Sequence, residues 1–237
     1  MSGARALVLL DIEGTTTPVD FVLRVLFPDA HARVSLFLEA HASDPDVTRD
    51  VAGLRDEHAR DTAAGRQPPA WDGAPAGAAT YTRWLMDQDR KLTALKSLQG
   101  RIWAEGYAQG RLRGQVYADV PPALARWTGA GSRVAIFSSG SVLAQKLIFG
   151  HSDHGDLTPF ISAYFDTATG PKREAQSYTR IAAALALPAA AGLFVSDVVA
   201  ELDAAREAGM ATALAVRTPP GPAPNGHPQV ASFDELP

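Results

Sequence analysis

Cysteine is absent from the 237 residues, which excludes disulfide staples, thiolate nucleophiles and zinc held by sulfur. The absence fits a reducing compartment, and the expected location is the cytoplasm. No apolar run approaches the ~20 residues needed to cross a bilayer, so no membrane partner is expected. The first apolar segment, at 6–10, runs straight into Asp11 and so does not build the long core of a secretion signal. Excess basic charge is lacking too. Lys and Arg number 22 against 26 Asp and Glu, leaving a formal net charge of −4 and no footprint for nucleic acid. What remains is a globular composition, 46% hydrophobic and 20% charged, in a length that suits one large domain or a core with an insert.

The densest chemistry lies near the start. The apolar run 6–10 ends in Asp11-Ile12-Glu13-Gly14-Thr15-Thr16-Thr17-Pro18. Such a run reads as a buried strand of a parallel sheet, which places Asp11 and Glu13 at its carboxyl end, where open α/β sheets bind ligands. Two acids this close suit a hard cation such as magnesium and leave a carboxylate free to attack. Gly14 lets the chain turn, and Thr15 offers a hydroxyl and an amide to a phosphate. A strand end capped by local Asp and Thr hydrogen bonds is the other reading of the same residues.

Further strands are expected at 133–137, 163–165, 192–195 and 212–216, with helices at 121–128, 141–149, 174–186 and 201–208. This alternation predicts a Rossmann-like parallel sheet covered on both faces. The section 20–119 carries no convincing strand. It reads as amphipathic helices broken at Pro28, at 42–45, at 67–75 and near Gly100, a helical cap inserted after the first strand. The core is then 1–19 plus 120–237 and the cap 20–119, with a flexible tail at 218–237. The stretch 65–77, with three prolines and three glycines, is expected to be a mobile loop.

Three later strand ends repeat the pattern. Phe137-Ser138-Ser139-Gly140-Ser141 runs into a helix start, which is either an anion site or a plain N-cap. Lys172 precedes another helix, where a cation opposes the macrodipole; it either reaches an anion or is an exposed loop lysine. Ser196-Asp197 ends a third strand with Glu201 four residues on, either a second acid for a cation or a capped helix. His151 and His154 are also close, but no third ligand lies near them.

Taken in order, Asp11/Glu13, Ser138, Lys172 and Asp197/Glu201 resemble the four motifs of the haloacid dehalogenase superfamily, and the helical insert resembles its cap class. Asp87-Gln88-Asp89-Arg90-Lys91, Leu98-Gln99-Gly100-Arg101-Ile102-Trp103, Ala144-Gln145-Lys146-Leu147 and Gly170-Pro171-Lys172-Arg173-Glu174 narrow the resemblance to the enolase-phosphatases of methionine salvage. The likeness spans about 7–217 and leaves out 65–77 and the tail. It implies conversion of 2,3-diketo-5-methylthiopentyl 1-phosphate to the acireductone and phosphate through an aspartyl-phosphate. By the resemblance, Asp11 is the nucleophile and Glu13 the general acid and base. Ser138, Ser139, Thr15 and Lys172 hold the phosphoryl group. Asp11, Glu13 through its carbonyl, and Asp197 bind one magnesium ion per chain, while Glu201 orients Lys172 or a metal water. The expected partner is a small phosphate ester, and the chain is expected to be a monomer. A phosphatase of the same superfamily acting on another small ester is the alternative. Lys91 and Lys96 are the residues a phosphonatase would recruit, but Asp87 and Asp89 suggest ordinary ion pairs for Lys91. Phe21, Phe27 and Trp84 are candidates for an apolar pocket around the methylthio tail, though aromatics in a helical insert are more often core. The enolisation base is open, with Glu13 as a candidate.

Overall fold

The computed structural model describes residues 5–217 and 226–237. In chain order the elements are β1 (Leu7–Leu10), a short α1 (Val19–Phe21), a π-helical turn (Val22–Leu26), α2 (Phe27–Ala40), α3 (Pro45–Ala63), α4 (Pro75–Asp87) and α5 (Thr93–Ala108). There follow α6 (Val120–Gly129), β2 (Arg133–Phe137), α7 (Val142–Gly150), β3 (Ala163–Phe165), α8 (Ala175–Ala184), β4 (Gly192–Ser196), α9 (Val199–Glu207), β5 (Ala211–Ala215) and β6 (Gln229–Val230). The contacts divide the chain into two units: residues up to Phe21 together with those from Arg113 onward, and Val22–Leu112.

The first unit is built on a sheet ordered β3-β2-β1-β4-β5-β6, every pair parallel. β1 and β4 are buried throughout, as continuous apolar runs of a parallel sheet must be when helices cover both faces. Leu7, Leu9, Phe137 and Phe194 pack on Tyr178, Ile181 and Leu202 of α8 and α9. Register decides where the chemistry falls. Leu10 pairs with Ile136 on one side and Val195 on the other, so Asp11 emerges level with Phe137 and Ser196. The chain passes from β1 to neighbours on opposite sides, which opens a crevice at the carboxyl ends.

Residues 113–119, expected in the cap, belong with the sheet. The Gly114 amide donates to His151 O at 2.8 Å and the Tyr117 amide to Thr16 O at 3.0 Å. The expected tail at 218–237 lies partly outside the described residues. Its described part, 226–237, adds β6 to the sheet edge and buries Phe233 against Trp127, because alternate apolar residues there find an open edge and a helix face.

The second unit is all helical. α2 packs on α4 and α5, and α3 packs on α5. Val34, Leu54, Ala78, Leu85, Leu95 and Leu98 fill its interior. The breaks expected at Pro28 and Gly100 do not occur. Pro28 stands at the start of α2, directly after the π-helical turn, where the helical run changes type without ending. Gly100 lies inside α5, where burial of Leu98, Ile102 and Trp103 outweighs the ~1 kcal/mol propensity cost of one glycine. The loop expected to be mobile is pinned. Trp71 stacks on Tyr81, and His58 Nε2 lies 2.8 Å from Pro69 O. Phe27 lies beside Trp103, and Trp84 stacks on Tyr81, so both serve packing.

Candidate active site

Asp11 leaves β1 with its amide bonded to Val195 O at 3.0 Å, which fixes its backbone between β1 and β4. The next turn is tight. The amides of Thr15, Thr16 and Thr17 all reach the Ile12 carbonyl, and Gly14 takes φ +71°. A Cβ at Gly14 would stand 2.2 Å from Asp197 Oδ2, so this close approach also needs glycine.

The Asp11 carboxylate is buried and fully held. Oδ1 accepts from Lys172 Nζ at 2.6 Å and from the Ile12 amide at 2.8 Å, while Oδ2 lies 3.0 Å from the Ser196 hydroxyl. Lys172 also meets Glu201 Oε2 at 2.7 Å. Its place is set by α8. The Tyr178 hydroxyl donates to Lys172 O at 2.7 Å, and the Ser177 hydroxyl to Pro171 O at 2.7 Å. Burial works against the Lys172 charge, but attraction from Asp11 and Glu201 wins and raises its pKa above the usual lysine value. The lysine is therefore a permanent cation. Glu201 is pushed up to about 7 by burial and by the Asp11 charge.

Asp197 is the strained member. Partial burial, then the like charge of Asp11, pushes its carboxyl up to about 6. No side chain among the described residues donates to this carboxylate. Two close carboxylates whose repulsion is relieved by only one lysine are what a hard divalent cation fits. Among the described residues no group of three or more His, Cys, Asp or Glu is arranged as a metal cage. A cation here must take its other oxygens from backbone, water and phosphate, which is the habit of magnesium.

Ser138 stands at the end of β2, buried, with its hydroxyl 3.4 Å from Glu13 Oε2 and accepting from the Gly140 amide at 3.1 Å. Gln145 supports this loop by donating to Gly140 O and Phe165 O, both at 2.9 Å. Ser139 follows in the same loop and is half-buried. The fold thus gathers Asp11, Glu13, Ser138, Lys172, Asp197 and Glu201 at one sheet edge. Thr15 is a correction. It is fully buried, and its hydroxyl accepts from the Asp197 amide at 3.0 Å, so it joins two loops and presents nothing to a phosphate. Sequence reasoning assigned no role in the site to Ser196, Tyr178 or Gln145. Only the position of Ser196 beside Asp197 signalled it, and there the residue read as a helix cap.

A family model described as haloacid dehalogenase-like hydrolase matches residues 6–209. A protein of Synechococcus elongatus named "Enolase-phosphatase E1" is 56% identical over 96% of this chain and 96% of its own length. One of Pseudomonas aeruginosa with the same name is 48% identical over 97% and 96%. The crystal structure of the UTR4 protein from Saccharomyces cerevisiae superposes with a TM-score of 0.80 at 34% identity, covering 98% of this chain and all of that one. A dehalogenase crystal structure with an intermediate complex, at 18% identity and a TM-score of 0.57, shares the fold alone.

Proposed function

The chain belongs to the haloacid dehalogenase-like hydrolases, and from that premise we propose how its side chains divide the work of an enolase-phosphatase. The activity is the conversion of 2,3-diketo-5-methylthiopentyl 1-phosphate to the acireductone and phosphate in methionine salvage, with an aspartyl-phosphate on the way. The observation that carries the division of labour is the Asp11 carboxylate, buried and oriented by Lys172 at 2.6 Å at the carboxyl end of β1.

Asp11 attacks phosphorus as the bond to the substrate oxygen breaks. Glu13 gives that oxygen a proton, then takes one from the water that cleaves the aspartyl-phosphate and restores Asp11. Lys172 offsets the charge that grows on the phosphoryl oxygens, held in place beforehand by Glu201, so no reorganisation is needed at the moment of transfer. Ser138 and the Ser139 amide hold the phosphoryl group, a reading supported by the 3.4 Å contact between the Ser138 hydroxyl and Glu13 Oε2. Asp11, Asp197 and the Glu13 carbonyl are the groups that would hold one magnesium ion, which would supply positive charge to the phosphoryl oxygens. Glu13 is the residue we assign to remove the carbon-bound proton in enolisation, because it is already placed for proton transfer at the phosphate end. The chain works as a monomer in the cytoplasm. Among the described residues no helix is long and apolar enough to cross a membrane.

Incubating the protein with the diketo phosphate and magnesium, while following enol absorbance and released phosphate together, tests the assignment. Phosphate release without any enol signal would identify a phosphatase without enolase activity, and no release would point to a phosphatase of another ester.

A further inference from the structure

The fifth strand also delivers a residue to this edge. Two residues beyond β5, the Arg217 side chain is almost fully buried and its guanidinium is committed on every side. Nε and Nη2 both donate to the Thr15 carbonyl, at 2.9 and 2.6 Å. Nη1 donates to Asp119 Oδ2 at 2.6 Å and to Ala231 O at 3.2 Å. The plane is held between the rings of Tyr117 and Phe233, 4.3 and 4.5 Å from the two centroids. Asp119 Oδ2 in turn accepts from the Phe233 amide at 2.6 Å, which ties the clamp to the segment after β6.

The target of this clamp is informative. Thr15 is the residue whose hydroxyl receives the Asp197 amide, and it follows Gly14, against which the Asp197 carboxylate rests. Thr15 also lies in the turn that begins at Asp11, and the Tyr117 amide backs the neighbouring Thr16 carbonyl. One guanidinium therefore fixes the peptide that sets the spacing between the two acids. Asp11 and Asp197 carry like charge, so what braces the turn between them bears on how they stand to each other.

We propose that Arg217, held by Asp119, Tyr117 and Phe233, is a positioning residue that keeps Asp11 and Asp197 at the separation a divalent cation requires. It touches neither substrate nor cation and acts through Thr15. The inference rests on the reading of Asp11 and Asp197 as the cation-binding pair. A planar fork with two donors on one carbonyl and a ring on each face is a task for arginine that lysine performs poorly.

The test is a magnesium titration of the full chain without substrate, by calorimetry, for wild type, Arg217→Lys, Arg217→Met and Asp119→Asn, with melting temperature and kcat and KM alongside. Loss of an outer partner of a metal site weakens affinity by about 10- to 100-fold. Arg217→Met should fall in that range, with Arg217→Lys and Asp119→Asn weakened less, and with kcat restored by raised magnesium while KM for substrate changes little. If Arg217→Met does not fold, the other two variants decide the matter. Variants that melt earlier yet bind magnesium as wild type does would overturn the proposal and leave Arg217 as a strut. A wild type that binds no magnesium would overturn it together with the cation reading. Wild-type protein that binds magnesium, weakened by Arg217→Lys, but releases no phosphate from the diketo phosphate would refute the proposed function and uphold the clamp.

Discussion

Each unit of the molecule buries a cluster of ionised side chains, and the two clusters differ in their charge balance. In the helical unit, Asp61 is fully buried and accepts from the Tyr81 hydroxyl at 2.6 Å, from Arg66 at 2.6 Å and from Arg90 at 3.2 Å, while Arg90 also pairs with Glu57. Glu57 also pairs with Arg60 at 2.8 Å, so the two carboxylates meet three guanidiniums and both are fully paired. Burial pulls the Asp61 carboxyl up, but those hydrogen bonds and charges outweigh it and leave it below the usual carboxylate range. In the sheet unit, Lys172 pairs with Asp11 and Glu201 but not with Asp197, and two of these three acids are pushed up, Glu201 to about 7 and Asp197 to about 6. A cluster whose carboxylates are all paired is a strut. A cluster of acids with little positive charge beside it leaves carboxylates that a cation would relieve, and the reading proposed above rests on that imbalance.

The largest effect expected from disturbing this contrast is chemical. Asp11→Asn keeps the size of the side chain but is a very poor nucleophile, so phosphate release should fall at least ~10³-fold, while enol still accumulates. Enol absorbance and phosphate release at saturating magnesium check both halves. Rescue of phosphate release by added magnesium would reduce Asp11 to a charge in the site.

The matching change in the strut should act on stability alone. Asp61→Asn leaves Arg66 and Arg90 facing an amide, and losing one partner of a buried pair costs about 3 kcal/mol. Urea unfolding followed by the tryptophans of the helical unit should show the loss, with kcat unchanged for the folded fraction. A fall in kcat larger than the fall in folded protein would mean that the strut has a catalytic role.

Acid should separate the two clusters by sign. A lowered carboxyl such as Asp61 contributes stability that is present above its ordinary pKa of ~3.9 and is lost as pH falls below it. A raised carboxyl such as Asp197 favours the protonated fold, so the metal-free protein loses stability as pH rises from ~3.9 through about 6. Magnesium competes with that proton. Its addition to chelator-treated protein should therefore raise the melting temperature more at pH 8 than at pH 5. Equal increments at the two pH values would remove Asp197 from the cation site.

The smallest effect is expected at Tyr81→Phe, which removes one of the donors to Asp61 and leaves both arginines in place. The loss should be about 1 kcal/mol in the same urea experiment. A loss as large as that of Asp61→Asn would mean that the hydroxyl, and not the charge balance, holds the strut together.

Much of the sheet was legible because its strands are continuous apolar runs ending in polar residues. The five expected strands all form, each within a residue or so of its expected bounds, and their ends carry Asp11, Ser138 and Asp197. Position in the chain also placed Lys172 and Glu201, since a strand followed by a helix can turn only at the sheet edge. The cap was less legible. A single glycine or proline is read as a break, yet Gly100 and Pro28 lie within helices, because burial of neighbouring faces was not visible in the local pattern. The Asp87–Lys91 segment, part of the family resemblance, holds a structural cation: Arg90 belongs to the strut and Lys91 pairs with Asp89.

The sequence by itself determined which chemical groups stand at strand ends, because hydrophobic periodicity and turn residues are local and act within a few positions. Only the tertiary structure decided what each group faces. It turned Thr15 inward to join two loops, set Ser196 between Asp11 and Glu201, and brought Arg217 to the Thr15 carbonyl across 202 positions of chain. The balance of charge in each cluster was decided there too, since an electrostatic interaction depends on distance in space and on the surrounding dielectric, and neither is written in the order of residues.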